Sequence, residues 1–444
     1  MSSPIGEHLD RPLDRNDTRT LALAALGGAL EFYDFIIYVF FATVIGQLFF
    51  PPATPDSLRQ LQTYGIFAAG YLARPLGGTL MAHFGDRVGR KRMFTLSVFL
   101  MAVPTLAIGL LPTYSTIGGL APVALLALRL LQGAAVGGEV PTAWVFVAEH
   151  APPRRTGLAC GFLTAGLTGG ILLGSLVASS LNHHYSTEVL KDYAWRIPFL
   201  VGGVFGLMVV FLRRWLEETP VFDELRRRKS LAQELPVKLV LRRHTGGVVE
   251  SMLVTWVLTA GVVVVILMTP ALLQKLHGFT AAQTLAANNI ANLCFMVGCI
   301  AAGLLADRLG AGTVLWGGCI MLLLSTYALY IGVDMNPALL TPLYGLAGLF
   351  VGVIGVIPIL MVQSFPTEVR LTGLSFSYNV AYALFGGFTP PAVALLARMS
   401  PLAPAHYVAA LCVLGAIVGL YSAANNRTTN LRYFMRPKAF STSN

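Results

Sequence analysis

The chain has 444 residues, 55% of them hydrophobic and only 12% charged, with a mean hydropathy of +0.68. Soluble domains carry roughly 25% charged residues, so the composition excludes one and indicates an integral membrane protein. The net charge of +10 does not point to nucleic acid, because Lys and Arg sit in short loops between long apolar runs.

Residues 1–20 are polar, with no signal-peptide core before Leu21, so the first apolar run is expected to stay in the protein. That run, LALAALGGALEFYDFIIYVFFATVIGQLFF (21–50), holds Glu31 and Asp34 three residues apart, on one face of a helix. An ionised carboxylate at mid-bilayer costs on the order of 3 kcal/mol, so a mere anchor would carry Leu there. The pair is therefore read as the proton-handling centre of a membrane carrier.

Further runs of bilayer length follow near 59–84, 93–112, 119–147, 157–181 and 196–213, then near 249–274, 286–306, 312–333, 338–363, 371–396 and 405–424. The expected fold is all-α and integral to the membrane, with twelve transmembrane helices in two pseudo-repeated six-helix bundles, 21–213 and 248–425. A polar linker (214–247) joins them, and tails of 1–20 and 426–444 flank them. The linker suits short amphipathic helices lying on the membrane face. Most of the 31 Lys and Arg fall on the side that holds both ends, so the positive-inside rule puts both termini in the cytoplasm. The halves echo each other: GDRVGRKR (85–92) after the second run matches ADRLGAG (306–312) after the eighth. Arg155-Thr156-Gly157 likewise matches Arg370-Leu371-Thr372-Gly373.

On these motifs the sequence resembles the major facilitator superfamily. Its loop signature G-x-x-x-D-R-x-G-R-K is met by Asp86, Arg87, Gly89, Arg90 and Lys91, with Ala82 in place of the first Gly. LEFYDF (30–35), FAAGYLARPLGG (67–78), RLLQGAAVGGE (129–139), YAWRIPF (193–199) and LRRWLEETPVF (212–222) narrow the resemblance. They are similar to the metabolite:proton symporter branch, which includes proline/betaine, 2-oxoglutarate, citrate and shikimate carriers. LEETP also resembles a sugar-porter signature in the same loop. The resemblance implies the twelve-helix fold, alternating access, a bacterial inner-membrane location and a monomer. It implies a cytoplasmic gate of Asp86, Arg87, Gly89, Arg90, Glu149, Asp307 and Arg308, with Glu149 as the partner of Arg90. By analogy with proton-coupled sugar porters it implies an ion pair between Asp34 and Arg129, broken when Asp34 is protonated.

Glu31 and Glu139 are secondary proton candidates; for Glu139 the alternative is a hydrogen bond to backbone or Tyr near the outer end. Arg74 lies on a stripe with Gln60, Tyr64, Phe67, Tyr71 and Gly78, and is expected to bind a substrate carboxylate; the alternative is an ion pair with Glu31. Tyr64, Tyr71 and Gln132 would add contacts from the first half. The second half, with no charge inside its runs except Glu250 at one end, would add Trp256, Asn288, Asn292, Tyr378, Asn379 and Tyr382. Interhelical hydrogen bonds would explain these equally well. Glycines 166, 170 and 174 read as close-packing faces. The five Cys lie in apolar segments without ligand spacing, and no HExxH, nucleophile elbow or nucleotide fingerprint occurs. An enzyme, a metal and a cofactor are not expected. The expected partners are a small polar solute, protons and the bilayer. An organic anion carrying one to three carboxylates is the first expectation for the solute. A zwitterionic osmolyte, or export rather than import, is the alternative.

Overall fold

The computed structural model describes residues 15–216, 218 and 236–429. The expectations for the tails and for most of the linker fall outside them. Among the described residues twelve long helices run up and down. The first half has α1 (Arg15–Phe40, continued by Ala42–Phe49), α2 (Asp56–Val88), α3 (Arg90–Leu110), α4 (Leu120–His150), α5 (Thr156–His184) and α6 (Arg196–Arg213). The second has α7 (Thr245–Thr259, continuing to His277), α8 (Ala281–Leu309), α9 (Ala311–Met335), α10 (Leu340–Val351, continuing to Gln363), α11 (Arg370–Ala381, continuing to Leu396) and α12 (Ala403–Thr429). Eleven are long and apolar enough to cross a membrane. The remaining one, α2, carries Asp56, Arg59, Arg74, Asp86 and Arg87 and crosses by its place in the bundle. Leu72, Leu76 and Leu80 line its outer face at 61–73% exposure, an apolar stripe suited to lipid.

Packing repeats with the sequence. The α2–α4 seam corresponds to α8–α10, α3–α6 to α9–α12, and α1–α5 to α7–α11. Between the halves, α5 lies on α8 as α11 lies on α2. Small residues permit these approaches: a Cβ on Gly133 would stand 1.9 Å from the Gly70 carbonyl oxygen, closer than any side chain tolerates.

The second half departs from regular helix at mid-depth in three places. They are the π-helical stretches Ala260–Met268 in α7 and Tyr382–Gly386 in α11, and the 3-10 stretch Gly352–Val356 in α10. Each is closely followed by proline, at Pro270, Pro358 and Pro390, which removes a donor and clashes with the carbonyl four residues back. In α7 the loosened carbonyls find other partners. Thr269 Oγ1 donates to Val264 O at 2.9 Å, and the Tyr344 hydroxyl to Val265 O at 2.7 Å.

Candidate functional site: a buried acid–arginine cavity

The α1 acids, Glu31 and Asp34, are 3% and 4% exposed, and Arg74 of α2 and Arg129 of α4 are equally deep. All four line one cavity of about 40 Å³ inside the first half, with Tyr71 and Gln132 also on its wall. By this measure it has room for a few water molecules.

The expected direct pair of Asp34 and Arg129 is not made here. Arg129 lies over the Tyr38 ring, 4.1 Å from its centroid, and Nη1 donates to Gln132 Oε1 at 2.9 Å. Gln132 Nε2 donates to Thr105 Oγ1 at 2.7 Å, and the Thr105 hydroxyl donates to Asp34 Oδ2. A polar chain thus stands between the charges, because α3 inserts Thr105 where the two side chains would otherwise meet. Gln132, expected to contact substrate, is a member of that chain.

Arg74 makes no ion pair with Glu31 either. Its guanidinium sits among three rings, with centroids at 4.8 Å (Tyr382), 5.4 Å (Tyr71) and 5.7 Å (Tyr378). Its Nε and Nη2, and Oε2 of Glu31, are buried without hydrogen-bond partners. Tyr71 and Tyr382 stack across the two halves with centroids 5.9 Å apart, so the cage closes only when the bundles meet.

Glu139 occupies a different site from the one expected. It is fully buried and takes Arg213 Nη2 at 2.6 Å, while the Ser97 hydroxyl also donates to it. The reason is Arg213, which closes α6 and folds inward, its guanidinium 3.5 Å from the centroid of Phe94 and bonded to the Phe94 carbonyl. The sequence reading ended the first bundle at Arg213 without giving it a role, and passed over Ser97 and Thr105. Those hydroxyls share one face of α3, eight residues apart, each facing a buried carboxylate; that spacing was the available signal.

At the basic end the two halves are clasped reciprocally. Asp86 of the first half accepts from Thr372 N (2.9 Å) and Thr372 Oγ1 (2.7 Å) at the start of α11. Asp307 of the second half accepts from Gly157 N (2.6 Å) and Leu158 N (2.9 Å) at the start of α5. Both are carboxylates at helix N-termini, where free N–H groups favour negative charge. Glu149 bridges Arg90 Nε and Arg370 Nη1, each at 3.1 Å, and Arg90 Nη2 donates to Thr367 O at 3.0 Å. Glu218 accepts from the N–H groups of Arg90 and Lys91 at the start of α3. Gly89 and Gly310 turn the chain at φ 133° and 87°, a region that only glycine enters freely. Arg87 and Arg308, expected in the gate, are exposed. Arg370, not foreseen, takes part in the clasp.

The expected second-half contacts divide. Tyr378 and Tyr382 reach the Arg74 cage. Asn379 Nδ2 donates to Gly137 O at 2.7 Å, the Asn288 side-chain amide lies 2.7 Å from the Tyr344 hydroxyl, and Asn292 Nδ2 donates to Asn288 O. Trp256 bonds Tyr407 at 3.2 Å and stacks on Phe385. Asn379, Asn288 and Trp256 thus join neighbouring helices, while Asn292 bonds within α8. Tyr64 is half-exposed nearer the opposite end of α2 and lies off the cavity wall.

The family model of the Major Facilitator Superfamily matches residues 24–390. A putative proline/betaine transporter of Staphylococcus aureus (strain COL) is 30% identical over 404 residues, 90% of this chain and 87% of that protein. The proline/betaine transporter of Salmonella typhimurium is 30% identical over 418 residues, 90% of this chain and 82% of that one. Among solved structures, a proton:xylose symporter bound to 6-bromo-6-deoxy-D-glucose shares the fold with a TM-score of 0.74. It is 19% identical, with 94% of this chain and 96% of that one covered. Twelve helices in two echoing halves, clasped at the loop motifs around a buried polar cavity, and these matches have one meaning: the chain belongs to the major facilitator superfamily and is a membrane transporter, not an enzyme.

Proposed function

We propose that the protein is a proton-coupled symporter that imports a small carboxylate-bearing solute by alternating access across the bacterial inner membrane. The basic end would face the cytoplasm, following the distribution of Lys and Arg. The observation carrying the reading is Arg74: a buried guanidinium with two nitrogens unpartnered, ringed by tyrosines, beside two buried acids. A carboxylate would take those nitrogens bidentately, and Asp34, with Glu31 beside it, would carry the coupled proton. With the basic end clasped, this state would admit solute from the opposite side. One chain encloses the whole cavity, so a monomer suffices.

Charge balance narrows the solute. Glu31 and Asp34 offset Arg74 and Arg129, so a di- or tricarboxylate would add uncompensated charge at low dielectric. A zwitterion adds none, and the tyrosine faces around Arg74 would also suit its ammonium end. The relatives named as proline/betaine transporters support that choice. A monocarboxylate carried with one proton is the second reading, on the same charge count.

Uptake into vesicles containing the purified chain tests both parts. Betaine or proline is expected to accumulate under an inside-alkaline gradient, and a tricarboxylate is not. Accumulation indifferent to the gradient would remove proton coupling, and a preference for the tricarboxylate would remove the charge argument.

A further inference from the structure

The two charges that the transport cycle would couple are not in contact, and one hydroxyl stands at the junction. Thr105 is fully buried and has a single proton with two acceptors in reach, Asp34 Oδ2 and Met101 O, the latter at 2.9 Å. Its oxygen is already fixed as an acceptor by Gln132 Nε2 at 2.7 Å. The Gln132 amide is held in that orientation by Arg129, which donates to its Oε1 at 2.9 Å. Asp34 Oδ1 has no hydrogen-bond partner, and Gly202 of α6 closes over it so tightly that a Cβ there would stand 2.8 Å away. Thr105 is therefore the hydrogen bond on which the ionised form of Asp34 rests.

We propose that Thr105 is the positioning residue that reports the protonation of Asp34 to Arg129. With Asp34 ionised, the hydroxyl donates to Oδ2. When Oδ2 gains a proton, that proton is donated to Thr105 Oγ1, and the hydroxyl turns its own proton to Met101 O. The threonine oxygen has two acceptor sites, so Gln132 and the protonated acid then share it. Acceptance from the acid weakens its hold on Gln132 and loosens the Gln132–Arg129 contact. No bond beyond the O–H of the acid is made or broken, and the proton leaves by the reverse turn. The groups facing Asp34 are Arg129 from α4, Arg74 across the cavity from α2, Glu31 and Tyr33 from α1, and the uncharged Thr105, Met101 and Gly202 from α3 and α6. The Tyr33 hydroxyl directs its proton to Pro198 O at 3.1 Å, which leaves Thr105 as the uncharged side chain that donates to Asp34.

The inference rests on the reading of Asp34 as the coupling acid, and the test separates the two. Full-length Thr105→Val, Thr105→Cys and Thr105→Ser are compared with Asp34→Asn in vesicles, over a range of pH, for gradient-driven uptake and for solute exchange. Valine keeps the shape and removes the donor, so the charged acid is disfavoured. The pH at half-maximal uptake should rise by about one to two units, with exchange retained. Cysteine, a poorer donor, should fall between, and serine should restore the wild-type profile. Profiles of valine and cysteine that coincide with wild type, while Asp34→Asn has lost accumulation, would overturn the role of Thr105 alone. Full accumulation by Asp34→Asn would overturn the coupling reading beneath it. Should the valine protein not fold, the cysteine–serine difference still decides.

Discussion

The two halves share a packing plan but divide the chemistry. The first buries Glu31, Asp34, Arg74, Arg129, Glu139 and Arg213 within its bundle and keeps Pro75, Pro104 and Pro141 inside continuous helices. Among the described residues the second holds no buried charge at mid-depth, yet breaks α7, α10 and α11 into π or 3-10 stretches. A buried ion requires partners at fixed distances, which favours a rigid frame. Helices whose irregular carbonyls are held by Tyr344 and Thr269 side chains, instead of by the regular ladder, have alternative arrangements close by. The halves repeat one packing plan, and only the first carries buried charged side chains at mid-depth among the described residues.

Asp34→Asn should break the contrast outright, since it removes a titrating group from the first half: accumulation falls to the equilibrium ratio while solute exchange persists in vesicles. Arg213→Met comes next. It leaves Glu139 buried and unpaired, at a cost of about 3–5 kcal/mol, read by thermal unfolding in detergent. The double variant Arg213→Met/Glu139→Leu should recover most of that loss, and failure to recover would mean the pair does more than neutralise itself. Arg74→Ala should weaken solute binding roughly 10- to 100-fold, the loss of a charge-assisted hydrogen bond, measured by titration calorimetry with little change in unfolding temperature. Asp86→Asn should shift the clasp toward opening by about tenfold (~1.4 kcal/mol). Spin labels on the exposed positions Val88 and Leu309 would report the population of longer distances. The smallest effect is expected in the second half, where Tyr344→Phe frees the Val265 carbonyl for only about 0.6 kcal/mol. A loss as large as that of Arg213→Met would show that the uncharged half is as tightly determined as the charged one.

Legibility followed the range of the interaction. The apolar runs marked the spans because each is a local sum that the bilayer sets by thickness alone, and the eleven most apolar helices fall on them. Even α2, with Arg74 in its middle, was visible as a run of the right length. The depth of Glu31, Asp34, Arg74 and Arg129 was equally legible, since distance from the span ends fixes it. The clasp was partly legible: the motif copies pointed to Asp86 and Asp307, but not to the helix starts in the opposite half that they hold. The Arg74 cage was split, because Tyr71 lies on its own stripe whereas Tyr378 and Tyr382 arrive from the other bundle.

Composition, periodicity and repeat determined the class, the helix count, the two halves and the depth of Glu31, Asp34, Arg74 and Arg129. Only the tertiary structure decided partners: Thr105 and Gln132 between Asp34 and Arg129, Arg213 folded back on Glu139, and Asp86 holding Thr372. Depth is a property of one helix in a slab. Pairing depends on how helices rotate against one another, and that rotation is set by contacts such as Gly133 on Gly70, between residues whose separation along the chain carries no signal.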